Sequence, residues 1–217
     1  MGQMNITPVI KNLLLINVLI FIIVNTLGDV IGVQNISLWM MVRYPTSELF
    51  RPIQLVTHMF SHGSISHIFF NMFGLLAIGP PIEYMWGARR FLFYYLFSGF
   101  GSIILDYGIK FFQLNFTNVS PEEAYLLVNI PSLGASGAIF GVLAAFAMLL
   151  PDNKLQLIFL PFPIKAKYFV AGYAAFELVS GVVGFQPGVN HFAHLGGAIF
   201  GVLLILYWRN GGTIGKN

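Results

Sequence analysis

The sequence predicts an all-α membrane protein, a six-transmembrane-helix bundle with a short fourth helix and an interfacial first outer loop. Three observations carry that prediction. The 217 residues are 57% hydrophobic and only 9% charged, against about 25% charged in a soluble domain. With a mean hydropathy of +0.78, the apolar residues gather into runs of the length a membrane span requires. The basic residues, which leave a formal net charge of +3, are scattered near the ends of those runs. That distribution suits orientation in a bilayer rather than nucleic-acid binding. The chain has no cysteine, which excludes disulfides, thiolate metal sites and a cysteine nucleophile.

Residues 1–217 read as a single transmembrane domain with spans at about 8–27, 66–84, 91–112, 136–150, 166–185 and 190–207. The first run lacks a small-residue cleavage site and reads as a retained anchor. Most runs approach the roughly 20 apolar residues a tilted span needs. The fourth, bounded by Ser136 and Pro151, holds about 15 residues, or roughly 22 Å of helix. With the N-terminus inside, Lys11, Arg89, Arg90, Lys154, Lys165, Lys167, Arg209 and Lys216 are cytoplasmic, and Arg43, Arg51 and Lys110 are outside. This bias puts both termini in the cytoplasm, and the expected location is a bacterial cytoplasmic membrane.

Two outer loops are long. In 29–65, Trp39, Met40, Met41 and Phe50 are interleaved with Arg43, Glu48 and Arg51, a pattern expected of a segment lying in the membrane interface. The stretch 113–133, with Pro121, Glu122, Glu123 and Pro131, reads as an exposed loop, and the Gly-rich tail beyond Arg209 as disordered.

The short fourth run has a chemical consequence. A hydrocarbon core about 30 Å thick leaves Ser136 roughly 8 Å below the outer face when Leu150 sits at the inner one. Irregular backbone at that depth is tolerated only if buried in protein or lining water. Ser136 is therefore expected at the floor of an outward-opening cavity. His194 lies at matching depth in the sixth span, and His67 and Asn71, four residues apart, at matching depth on one face of the second. Gly137 and Gly141, and likewise Gly197 and Gly201, are spaced to let the fourth and sixth helices approach closely. That approach would bring His194 to Ser136 as a general base, with Asn71, His67 and the Ser136 N–H as donors to an oxyanion. Each residue alone has a plainer role. Ser136 can cap a helix, His194 can bond a backbone carbonyl, and Asn71 can join helices. Four polar groups from three spans at one depth point instead to function.

These residues resemble the motifs of the rhomboid family of intramembrane serine proteases. Gly134-Ala135-Ser136-Gly137 is similar to its nucleophile motif, and Ala193-His194-Leu195-Gly196-Gly197, with Gly201, to its histidine motif. His67-Ile68-Phe69-Phe70-Asn71 is similar to its oxyanion motif, preceded by Thr57-His58-Met59-Phe60-Ser61-His62. Pro81-Ile82-Glu83, Trp86-Gly87-Ala88-Arg89-Arg90-Phe91 and the loop pair Phe50-Arg51 extend the likeness, which runs from about residue 8 to 208.

The resemblance implies a rhomboid-like fold and a Ser136–His194 dyad that needs no carboxylate. It also implies single-span membrane proteins as substrates, cut near the outer face, and no cofactor. Where some members carry Tyr four residues after the serine, this chain has Phe140, expected to pack on His194. The alternatives are an inactive relative that binds membrane clients and a small transporter. The latter predicts inverted repeats, and none is evident. No motif identifies the client or the oligomeric state.

The remaining polar residues are ranked lower. His191, three before His194, is read as a polar residue at the helix mouth. His58, His62 and His67 lack an HExxH pattern or a carboxylate, so no metal is expected. Glu83 is read as structural. Asp106 and Glu177 lie within spans, where each is either paired across helices or protonated, and the sequence supplies no partner for them. The loop 186–189 is a candidate cap over the cavity, and the fifth span beside it a candidate lateral gate.

Overall fold

A computed structural model of the chain describes residues 6–27, 36–156, 162–186 and 188–212. The start of the first outer loop, Pro187 of the candidate cap and the tail beyond 212 lie outside the described residues. The elements in order are α1 (Pro8–Ile22), extended by a π-helical turn (Ile23–Leu27), α2 (Ile36–Met40), α3 (Gln54–Thr57) and a 3₁₀ turn (His58–Phe60). Then follow α4 (Ile65–Trp86), α5 (Ala88–Phe116), α6 (Pro121–Asn129), α7 (Ser136–Leu149), the strands β1 (Lys154–Leu155) and β2 (Ile164–Lys165), α8 (Ala166–Val183) and α9 (His191–Asn210). Among the described residues, α1, α4, α5, α8 and α9 are long and apolar enough to cross a membrane, and α7 is a shorter apolar helix. The protein is an all-α integral membrane protein.

The short helix is the hub. At 14 residues, α7 is about 21 Å long, whereas the 22 residues of α4 reach about 33 Å. Every residue from Gly137 to Phe146 is buried, with α4, α5, α8 and α9 packed around it. Its small residues Gly137, Ala138, Gly141, Ala144 and Ala145 let the neighbouring helices enclose it closely. The core runs through Leu75, Ile82, Phe91, Tyr94, Ala138, Val142, Ala145 and Ile205, and Tyr94 Oη donates to Gly141 O at 2.7 Å, joining α5 to α7. By contrast, α8 leaves Phe176, Leu178, Val179, Val182 and Val183 exposed, as a rim helix facing lipid does.

Local chemistry sets the helix ends. Ser64 Oγ accepts from His67 N at 3.1 Å and starts α4, and Gly87, at φ +78°, separates α4 from α5. Pro80 and Pro81 lie within α4 rather than ending it. Glu83 is buried and receives Val9 N at 2.9 Å, Ile10 N at 3.0 Å and the Thr7 hydroxyl. Its carboxylate thus caps the positive end of α1. At the same end of the bundle, Trp86, Tyr94 and Trp208 cluster, and Arg209 Nη2 donates to Met148 O at the end of α7, 3.2 Å away.

Two outer segments are more ordered than the sequence reading anticipated. The stretch read as an exposed loop holds the last turn of α5 and the whole of α6. That helix opens on a capping box, with Ser120 Oγ accepting from Glu123 N and the Glu123 carboxylate from Ser120 N. The first outer loop contains α2, α3 and the 3₁₀ turn, with Trp39 and Ile53 exposed at 61% and 64%. Between α2 and α3 it pairs with the segment before α7 through a bridge between Val42 and Ser132.

Candidate active site

Helices α4, α7 and α9 enter the bundle from the same end, and their first turns carry the polar residues. Ser136 is the first residue of α7, and Ala135 rather than Ser136 occupies the cap position. The serine hydroxyl is therefore not committed to the helix terminus. It lies 2.8 Å from His194 Nε2. His194 sits in the first turn of α9, whose cap is Asn190, accepting from Ala193 N at 3.0 Å. Both Ser136 and His194 are half-buried, while Gly134, Ala135 and Gly137 beside them are buried. The hydroxyl is thus reachable, although the backbone that presents it is not.

Glycines make the approach of α7 and α9 possible. A Cβ added to Gly197 would lie 1.8 Å from Gly137 O, and one on Gly201 would lie 2.4 Å from Tyr94 Oη and 3.1 Å from Gly141 Cα. On the other face of α7, a Cβ on Gly137 would meet Ser102 at 2.5 Å and one on Gly141 would meet Ser98 at 2.2 Å. Real carbon–oxygen contacts need more than 3 Å, so any larger residue would push these helices apart. The His194 ring is fixed from the side as well. Phe140 stacks on it with centroids 4.4 Å apart and planes at 6°, and Tyr173 of α8 packs on Phe140 at 4.9 Å.

Gly134 joins the serine to α4. It has φ +110°, and an added Cβ would lie 2.6 Å from His67 Nε2 and 3.7 Å from Asn71 Nδ2. The side chains of His67 and Asn71 therefore converge on the backbone two residues before Ser136. The first intrahelical bond of α7 runs from Ile139 N to Ala135 O, so the amides of Ser136, Gly137 and Ala138 have no acceptor within the helix. The loop ahead of them is held by Gly134 N to His58 O at 2.8 Å and by Ser132. The Ser132 hydroxyl accepts from Asn190 Nδ2 at 2.8 Å and donates to Asp106 at 3.3 Å. One serine side chain thus links the start of α9, α5 and the approach to α7.

Two carboxylates left unpartnered in the sequence reading acquire partners. Asp106 pairs with Lys110 one turn later at 3.0 Å. Glu177 of α8, 2% exposed, lies 2.6 Å from His191 Nδ1 and 3.1 Å from His194 Nδ1. The second approach is off the hydrogen-bond direction. The sequence reading missed this link because Glu177 and His191 belong to different helices, and only the rotation of α8 about its axis decides whether they meet. Among the described residues no cluster of His, Asp and Glu is arranged to hold a metal.

The chain as a whole is similar to known proteins. The model of the Rhomboid domain matches residues 48–210. The chain belongs to the rhomboid family. It is 34% identical over 181 residues to the presenilin-associated rhomboid-like protein, mitochondrial, of Bos taurus, covering 78% of this chain and 44% of that one. It is 34% identical over 152 residues to Rhomboid protein 1, mitochondrial, of Saccharomyces cerevisiae, covering 70% and 40% respectively. To Rhomboid protease AarA of Providencia stuartii it is 29% identical over 153 residues, covering 67% and 52%. This rhomboid therefore spans about half the length, or less, of these curated relatives, and the relatives include proteins named for mitochondria as well as a bacterial one.

Proposed function

We propose that this rhomboid is an intramembrane serine endopeptidase that cleaves transmembrane segments of single-span membrane proteins near the outer face. The observation that carries the reading is the 2.8 Å approach of His194 Nε2 to Ser136 Oγ. It joins two helices at a glycine-lined crossing and has no role in capping either. A serine hydroxyl aligned on an imidazole is the arrangement nucleophilic catalysis needs. The protease in the name of the Providencia stuartii relative agrees with it.

In this reading the Ser136 Oγ–H proton passes to His194 Nε2 as Oγ bonds to the scissile carbonyl carbon, and the carbonyl π pair moves to oxygen. Asn71 Nδ2, His67 and the Ser136 N–H donate to that oxyanion. Its collapse breaks the C–N bond, and His194 returns the proton to the leaving amine. Water then hydrolyses the acyl ester by the same route. Because a helix hides its carbonyls in hydrogen bonds, the substrate must unwind locally to be cut. The Lys and Arg bias supports both termini facing the cytoplasm, in a bacterial cytoplasmic membrane, which reporter fusions at the two termini would test. The exposed rim helix α8 is the proposed lateral gate.

The test is labelling of the detergent-purified chain with a fluorophosphonate, together with cleavage of a reconstituted single-span substrate. Labelling and cleavage by the wild type, both abolished by Ser136→Ala and by His194→Ala, are expected. A folded wild type silent in both assays would overturn the reading in favour of a client-binding relative.

A further inference from the structure

The buried carboxylate of Glu177 takes no part in the steps above, yet it sits against the imidazole nitrogen opposite Ser136. The hydrogen-bond chain around it can be resolved by donor and acceptor logic. His191 Nε2 lies 2.8 Å from Phe185 O, and a carbonyl only accepts, so Nε2 carries a hydrogen. The 2.6 Å contact between His191 Nδ1 and Glu177 Oε2 then holds one shared proton, on the nitrogen or on the oxygen. In both cases Oε2 keeps a lone pair, and His194 Nδ1 lies 3.1 Å from it, off the hydrogen-bond direction at rest. Glu177 and His191 are 2% and 5% exposed, so water does not compete for that lone pair. An Nδ1–H directed at it leaves Nε2 of His194 as the nitrogen with the lone pair, and Nε2 is the atom 2.8 Å from Ser136 Oγ.

We infer that Glu177 is a positioning residue for His194. It selects the tautomer that accepts the Ser136 proton and stabilises the imidazolium that forms, and His191 anchors it from the other side. The inference rests on the protease reading and deepens it, making the working unit Ser136–His194–Glu177 rather than a dyad. The off-axis 3.1 Å contact closes to a hydrogen bond when His194 becomes charged, as contacts that are loose in the resting enzyme do. His191 has a further consequence. It can share its proton with Glu177 so that the pair is neutral overall, which lets a carboxylate stay buried beside the site without an unpaired charge.

The substitution that separates positioning from packing is Glu177→Gln, compared with Glu177→Ala. Glutamine fills the same volume, but its amide N–H can donate to His194 Nδ1 and so favours the wrong tautomer. Alanine leaves a cavity and no donor. A positioning role predicts that Gln lowers kcat by roughly 10²–10⁴-fold with KM and Tm close to wild type, and that Ala is more damaging to Tm but no more damaging to kcat. Wild-type kcat in Glu177→Gln would overturn the inference, and so would losses that follow Tm in both variants.

A second measurement does not require activity. In the ¹⁵N-histidine-labelled wild-type chain, with His194 assigned by its loss in His194→Gln, the nitrogen shifts report the tautomer. A protonated Nδ1 supports the inference, and a protonated Nε2 in the resting state overturns it. Silence of the folded wild type toward fluorophosphonate and substrate would overturn the protease reading itself, and the catalytic role of Glu177 with it. In that event the shifts still decide the hydrogen-bond assignment.

Discussion

Gly197 of α9 faces Gly137 of α7 so closely that a single added Cβ would lie 1.8 Å from the Gly137 carbonyl oxygen. This contact sets the distance between the helices that carry Ser136 and His194. Gly197→Ala is therefore expected to separate them by an ångström or more and to break the 2.8 Å contact between the two side chains. Fluorophosphonate labelling should fall by about 10²-fold, since a 1 Å misplacement costs that much, and Tm should fall as well. Gly172→Ala is the control. That position is exposed on α8 with open space around its added Cβ, so it should leave both labelling and Tm at or above wild type.

Phe140 lies under the His194 ring at 4.4 Å and is 8% exposed. Its flat face does two jobs, filling the core and limiting imidazole rotation. Phe140→Leu separates them. Leucine retains most of the volume, so stability should drop by about 1.5 kcal/mol or less, but it offers no face to stack on. The expected result is a kcat loss of roughly tenfold with near-native Tm. Phe140→Ala should lose both, with about 3–5 kcal/mol of stability gone. The two variants are compared by thermal unfolding and by single-turnover labelling.

Glu83 lies far from the site, at the opposite end of α4. Glu83→Ala strands three buried donors at once: Thr7 Oγ1, Val9 N and Ile10 N. A buried donor left unpaired costs about 1–3 kcal/mol, and local relaxation keeps the total below the sum of three such terms. A destabilisation of about 2–4 kcal/mol is expected, with kcat unchanged once rates are normalised to active sites titrated by the phosphonate. A selective loss of kcat at unchanged Tm would mean that Glu83 acts on the site, contrary to its place in the fold.

Much of this arrangement was legible in the sequence because it is written in periods and depths. The apolar runs marked the long helices. The short run behind Ser136 and the glycine spacings of Gly137, Gly141, Gly197 and Gly201 pointed to the α7–α9 crossing that the structure contains. The loop readings failed where polar residues satisfied one another locally. In 113–133, Ser120 with Glu123 starts a helix that proline and two glutamates made look like a loop. The partner of Glu177 was invisible for a different reason. It depends on how far α8 is turned toward α9, and the apolar pattern of α8, a mostly exposed helix, does not define that angle.

The loop that presents Ser136 rests on two buried histidines outside the spans, and this makes its stability acid-sensitive. Burial pushes the pKa of His58 down to about 4, and burial, with His67 nearby, does the same for His62. His58 Nδ1 donates to Gln54 O at 2.9 Å, and its Nε2 is buried with no partner among the described residues. Ala135 N points at His62 Nε2 from 3.5 Å, so a proton on that nitrogen would face the donor adjoining Ser136. Both rings are neutral in the fold and basic when unfolded, with an ordinary pKa near 6.5. Because the folded values are depressed, their contribution is fully present above about pH 6.5 and is lost as pH falls toward 4, with a slope approaching roughly 1.4 kcal/mol per pH unit for each ring. Asp152, exposed and held below the usual carboxylate range by Lys165 and Lys167, loses its contribution only at lower pH. Thermal unfolding of the detergent-solubilised chain between pH 7 and 4 should show Tm declining across that window. His62→Gln, which carries no titrating ring, should flatten the decline. A Tm that holds constant to pH 4, or a decline that His62→Gln and His58→Gln both leave unchanged, would mean that neither ring is held neutral by burial.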